Sequence, residues 1–374
     1  MLYNNTHGPE SKMGAFVLRR NFVLFLCVFG IAAFGAGCAD SNPAGGDIES
    51  QRYISEPEPE ASSEAPKLTV NPLTGEENLA PGLESKRPVA IMINNIKAAW
   101  DAQTGVGAAD IVYETLVEGG ITRLMAVYQN IGAAPTIGTV RSARYSYAEL
   151  ALSLDAIYIS MGADKKYYEP YQKQLGIQWY NLMSHEAASF RVKNGKAYEH
   201  TLYTSGERLS KNLAKANIRM NVRDSRKKTI FDFAPPAESR TLSGGTCNTL
   251  KVNFSDTYGS SYKYDPAAKT YLKLQGGSPH KDYKTGAQLK VRNVFVLFTK
   301  VTEFSDGYHV KSDLSSGSGY YATEGTYQEI SWSKGAAANL FTFTNKDGTP
   351  LVVNAGKSWV SIADQAHRPD FAIG

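Results

Sequence analysis

The chain has 374 residues, 42% hydrophobic and 20% charged. That composition fits a folded body of two ordinary domains and excludes a wholly disordered or fibrous protein. The formal charge of +4 is unevenly spread: residues 1–37 carry +2, residues 38–66 carry −6, and residues 67–374 carry +8. A folded part this basic favours an anionic partner: a phosphate-rich polymer, a lipid headgroup or nucleic acid. No Lys/Arg run is interleaved with aromatics, so no nucleic-acid partner is expected.

In chain order, Arg19-Arg20 and the apolar run Asn21–Ala36 read as the first two parts of a signal peptide over 1–37. Gly37 and Cys38 follow, and small residues before this cysteine resemble a bacterial lipobox. That resemblance implies cleavage before Cys38 and attachment of diacylglycerol to its thiol, with palmitate as an acyl chain; the alternative is an uncleaved N-terminal anchor. Residues 38–66, rich in Pro, Glu and Ser, read as an acidic, disordered tether. Once Cys27 is removed and Cys38 lipidated, Cys247 stands alone and can form no internal disulfide. It is read as incidental rather than as a nucleophile.

Residues 67–235 read as an N-terminal α/β domain. Strands are expected over Arg87–Asn95, Ala109–Val117, Thr122–Tyr128 and Asp155–Ser160, and helices over Ser142–Leu154, 165–180 and Arg208–Ala216. Elements that alternate in this way imply an α/β sandwich with a mixed sheet. After Phe231–Ala237 the pattern becomes strands only. Residues 240–370 therefore read as an all-β barrel or sandwich, with a hairpin turning at Asp265-Pro266 and Trp359–Ile362 closing the sheet. The fold class expected is α+β or α/β, in two domains.

The stretch Glu118–Tyr147 joins a Gly119-Gly120 turn, a strand carrying Arg123, a Gly/Pro loop and a helix start carrying Arg141 and Arg144. Spaced three apart, Arg141 and Arg144 would share a helical face. Guanidinium forks beside a helix N-terminus make a receptor for carboxylate or phosphate. Asn94 and Asn95 follow one strand and Asp164 another, while Arg191 and His200 occupy a polar loop. Each of these residues alone reads as an ion pair or a structural hydrogen bond, so clustering would decide. His200 with Glu118 or Asp164 forms the candidate acid–base set. His280 and Asp282 read as a loop-stabilising pair, since two ligands are too few for a metal. No metal or cofactor is expected, and no P-loop, G-x-S-x-G elbow, H-E-x-x-H or S-x-x-K pattern appears in a supporting context.

Several of these runs together resemble the YerB-type lipoproteins of Gram-positive bacteria. They are N-P-L-T-G (71–75), R-P-V-A-I-M-I-N-N (87–95), A-D-I-V-Y-E (109–114), E-G-G-I-T-R (118–123), I-G-T-V-R-S-A-R (137–144) and E-H-T-L-Y-T-S (199–205). H-K-D-Y-K-T-G (280–286) and R-N-V-F-V (292–296) match in the second domain. The family form of the arginine segment more often has Pro where Thr139 stands, and Asn where Thr201 stands. The resemblance implies an α/β domain, a β domain and a place in the cell envelope, anchored by lipid on Cys38 at the extracytoplasmic face; it supplies no catalytic residues. Two readings remain. One is a non-catalytic binding or scaffold protein for an anionic cell-wall polymer or an envelope protein. The other is an envelope enzyme acting on a phosphate- or carboxylate-bearing wall substrate.

Overall fold

The computed structural model describes residues 67–374. The expected signal peptide, Cys38 and the tether lie outside the described residues.

The main strands of the first half are β1 (Val89–Asn94), β2 (Ile111–Leu116), β3 (Thr122–Tyr128), β4 (Ile157–Ser160), β5 (Trp179–Asn181) and β6 (Leu202–Ser205). Helices α1 (Tyr145–Ser153), α2 (Tyr168–Leu175) and α3 (Gly206–Leu213) are interspersed. The second half contributes β7 (Thr249–Ser255), β8 (Tyr258–Asp265), β9 (Thr270–Gln275), β10 (Asn293–Thr299), β11 (Ser316–Thr323), β12 (Thr326–Ser333), β13 (Thr342–Asn345) and β14 (Ser358–Asp364). The fold is α+β, mostly strand with few helices.

A ten-stranded mixed sheet in the order β13-β12-β11-β10-β14-β2-β3-β1-β4-β5 spans both halves of the sequence. Its inner strands are mainly apolar, as burial on both faces requires. Their side chains alternate. Val89, Ile91 and Ile93 point into one core, with Val294 and Val296; Ala90 and Met92 point into the other, with Phe295 and Leu297. On the first face lies the smaller sheet built on β7-β8-β9, which contributes Leu250, Val252 and Tyr262. The second core holds Tyr147, Leu150 and Ala151 of α1.

The strand containing Trp359 departs from expectation. It does not finish a sheet at an edge; β14 is central, parallel to β10 on one side and to β2 on the other. A short, mainly apolar run (Trp359-Val-Ser-Ile) suits an interior position as well as a closing one, and the sequence pattern does not separate the two. Beyond the turn in which Leu351 N donates to Phe343 O at 3.0 Å, Val352–Val353 pairs in parallel with Asp232–Phe233. Helix α2 is shorter than expected, because Gly176 turns into the left-handed region (φ 63°) and accepts no further turn. Ser205 caps α3 by accepting the Arg208 N–H at 3.2 Å.

Because β14 connects the two halves of the sheet, residues 67–374 should unfold in one calorimetric transition. Ile362→Ala, at a fully buried position of β14, should destabilise that whole transition by about 3 kcal/mol. Two separated transitions, with only the later one moved, would contradict the shared sheet.

Candidate functional site

One end of β1 gathers the arginines. Asn94 closes β1 and is the register partner of Arg123 at the start of β3. The segment after Gly138 is then caught beside them: Asn94 N donates to Thr139 O at 2.8 Å, and Arg141 N donates to Met92 O at 3.0 Å. Val140 N in turn donates to Leu202 O at 2.8 Å, which brings up the segment holding His200. Residues distant in sequence thus meet through backbone pairing.

This capture corrects the expected helix start. Arg141 and Arg144 are not on a helical face. Arg144 is extended (φ −136°, ψ 158°), and α1 begins only at Tyr145. The N–H groups of Arg141 and Ala143 are used by Met92 and Gly162, so the chain cannot coil until they are passed. The two arginines converge by tertiary structure instead.

Their charges are poorly balanced. Arg123 is only 5% exposed. Its Nη1 donates to the Ser142 carbonyl, and its Nε, also buried, has no acceptor. Burial pushes its pKa well below the usual arginine value, and Arg144 and Arg141 push the same way against the opposing pull of Glu118. Glu118 is claimed by Arg144, whose Nε donates to it at 2.6 Å, and by the Tyr168 hydroxyl. Burial pushes the Glu118 carboxyl up, but these partners outweigh it and hold it below the usual range. Arg141 is half-buried and, among the described residues, has no side-chain hydrogen bond or ion pair; burial lowers its pKa, with Glu199 opposing.

His200 adjoins this group. Asn94 Nδ2 donates to its Nδ1 at 2.8 Å, which leaves the proton on Nε2. Burial lowers its pKa, and Arg141 and Lys196 add to that against Glu199. The expected pairing of His200 with Glu118 or Asp164 is not formed. Its nearest carboxylate is Glu199, at 4.0 Å. Glu118 is held by Arg144, and Asp164 accepts the backbone N–H groups of Lys166 and Tyr167 at 2.9 and 2.7 Å. Asn95, just past β1, also separates from the group, its Nδ2 donating to Glu114 at 3.2 Å and to Thr122 Oγ1 at 2.7 Å. Arg191 stands at the rim, donating to Tyr198 O at 2.7 Å and to Thr201 Oγ1 at 3.0 Å.

Comparison with known proteins adds family membership. Residues 73–219 match the N-terminal domain, and residues 250–360 the C-terminal domain, of the family described as protein of unknown function DUF3048. The chain belongs to this family. It is 28% identical over 314 residues to the Bacillus subtilis (strain 168) protein named "Putative lipoprotein YerB", covering 81% of this chain and 88% of the relative. The crystal structure of YerB protein from Bacillus subtilis superposes with a TM-score of 0.67 at 24% identity, over 81% of this chain and 98% of that one.

In this DUF3048 chain a second polar group, between the two matched regions, escaped the sequence reading. Glu114 of β2 is fully buried. It accepts Asn95 Nδ2 at 3.2 Å, Thr122 Oγ1 at 2.8 Å, Ser260 Oγ at 2.9 Å and Trp359 Nε1 at 3.0 Å. Lys273 Nζ lies 3.9 Å away and donates to Ser260 Oγ and Leu274 O. Gln103 ties this network to the arginines, donating to Asn94 O at 2.6 Å and to Asn95 Oδ1 at 2.9 Å, and accepting from His280. Asp282 accepts Thr104 Oγ1 at 3.0 Å and Gly105 N at 2.6 Å. The His280–Asp282 loop is therefore a clasp between the halves, with both side chains bonded to the 103–105 segment. Cys247 is buried, and burial pushes its thiol up to about 11, so it is inert. A signal for Glu114 was present: one acid inside the apolar strand I-V-Y-E-T-L.

Burial lowers the Lys273 pKa to about 8 from an ordinary 10.5, with Glu114 opposing. Below pH 8 the folded and unfolded chains both hold this proton. Between 8 and 10.5 the folded chain releases it first, so this lysine's contribution to stability rises with pH. The melting temperature of the wild type, relative to Lys273→Met, should climb from pH 8 to pH 10. A constant difference over that range would contradict the buried charge.

Proposed function

We propose that this protein is a lipid-anchored, extracytoplasmic binding protein whose arginine cluster receives the carboxylate or phosphate of an anionic cell-wall polymer or of an envelope protein partner. Arg123, Arg141 and Arg144 hold the anion; Asn94 and His200 border it, and Arg191 lies at the rim. The lipid would sit on Cys38, and the relative named as a putative lipoprotein supports that anchor. We take residues 67–235 and 240–370 as the working domain boundaries; both matched regions fall inside them.

One observation carries the reading. Arg123 is buried without a carboxylate paired to it, beside two further guanidinium groups: Arg144, which holds Glu118, and Arg141, which has Glu199 nearby but forms no ion pair with it among the described residues. A buried cation without a counter-ion costs several kcal/mol by order of magnitude. An anion docked beside Arg141 would supply a counter-charge to Arg123 and Arg141 together. The enzyme reading is less well supported, because the proposed acid–base partners of His200 are engaged elsewhere.

Arg141→Ala is the clean test, since among the described residues this side chain makes no hydrogen bond or ion pair that its loss would break. The variant should melt within about 2 °C of the wild type, as expected for a loss of less than about 0.5 kcal/mol. Its affinity for inorganic diphosphate and for isolated anionic wall polymer should fall about tenfold or more. Unchanged binding of both by a folded Arg141→Ala would refute the receptor.

A further inference from the structure

Beside the arginine cluster stands a feature that the anion alone does not explain. Tyr198 is 71% exposed, and it lies two residues from His200. Arg191 is stacked beneath it, with its guanidinium carbon 3.4 Å from the ring centroid. The same guanidinium is anchored by the Tyr198 carbonyl and Thr201 Oγ1. One face of the ring is thus covered and the ring held still; the other face is open. A preset aromatic face binds at a low entropy cost, because little freedom is left to lose.

The surroundings of the ring narrow the choice of ligand. Its neighbours in the loop are Lys193, Asn194, Lys196 and Glu199, and no other large apolar side chain between 193 and 200 is exposed. A lipid tail or an apolar peptide needs a contiguous apolar patch, which this loop does not offer. A lone flat ring with charged and amide groups around it suits a ligand that is apolar on one face and hydroxylated at its edges. Pyranose sugars have that form. Glu199 Oε1 lies 4.0 Å from His200 Nε2, and Val140 N donates to Leu202 O at 2.8 Å, which places the ring's loop beside the segment that carries Arg141.

We propose that the ligand is an acidic saccharide: a sugar ring stacks on the open face of Tyr198, and the carboxylate or phosphate of that sugar or its neighbour docks on Arg123 and Arg141. The inference rests on the anion-receptor reading above and adds the class of ligand. The acid is shared chemistry between uronic and phosphorylated sugars, and the probes below distinguish them.

The test uses the full chain, its Tyr198→Ala, Tyr198→Phe and Arg141→Ala variants, and calorimetric titration. The probes are an oligogalacturonate, its methyl-esterified neutral form, glucose 6-phosphate, inorganic phosphate, and phosphatidylglycerol vesicles. The wild type should bind the oligogalacturonate or the sugar phosphate more tightly than inorganic phosphate, and the neutral form at least tenfold more weakly. Tyr198→Ala should weaken acidic-sugar binding by about tenfold, the scale of one aromatic contact, and leave inorganic phosphate unchanged. Tyr198→Phe should restore the affinity, since stacking needs the ring and not the hydroxyl. Arg141→Ala should lose both the sugar and the inorganic ion. Equal sugar binding by Tyr198→Ala and wild type, with loss in Arg141→Ala, would overturn the saccharide and leave the receptor standing. Tight binding to vesicles in preference to either sugar would also overturn it. No binding of any anion by the folded wild type would overturn both.

Discussion

Glu114 is a carboxylate with no access to water, placed where the large sheet meets the smaller one. Such a group is tolerated only when every lone pair is met. Here two donors come from the first half of the chain, Asn95 and Thr122, and two from the second, Ser260 and Trp359. Removing either set would leave a buried charge uncompensated, which costs more than any single apolar contact nearby. The two matched regions of the family are therefore joined by one acid as well as by strand pairing. Lys273 adds the counter-charge from the second half, and Ser260 lies between the two.

The same network sets the orientation of the arginine end. With Asn95 turned inward to Glu114, the alternation of the strand turns Asn94 outward to His200. Gln103 holds the backbone of both and reaches His280 on the other half. The arginine cluster is built on this rigid base, yet Arg123 lacks what Glu114 has, a full set of hydrogen-bond partners. Arg87 is an instructive contrast. It is also buried, but it is bonded to the carbonyls of Asp155, Ala156 and Arg219, with the Asp155 carboxylate 3.8 Å away. Arg87 is thus satisfied within the protein, whereas Arg123 Nε is not.

Much of the fold was legible, and the reasons for the failures are physical. Strands β1 to β4 were readable because apolar runs of four to seven residues between Gly, Asn and Asp turns have few other solutions. The place of β14 was not readable, since its partners β10 and β2 are remote in sequence and local pattern carries no pairing information. Arg123, Arg141 and His200 were singled out as candidates at strand ends and loops, and backbone pairing brings their segments together. The helical mechanism suggested for Arg141 and Arg144 was wrong, because sheet-like capture by Met92 outcompeted coiling. Glu114 was visible as an anomaly in a strand, but Lys273 was not: in T-Y-L-K-L-Q an alternating lysine reads as solvent-facing, and only the layered sheets turn that face inward.

The account turns on whether the Arg123 guanidinium accepts an external anion. The most direct measurement is a nitrogen-15 NMR titration of arginine Nε–Hε resonances with inorganic diphosphate, assigned through an Arg123→Lys variant. The Arg123 and Arg141 resonances should shift together along one binding curve, and the Arg87 resonance should stay fixed. Shifts confined to exposed arginines, with Arg123 unmoved at saturation, would contradict the account.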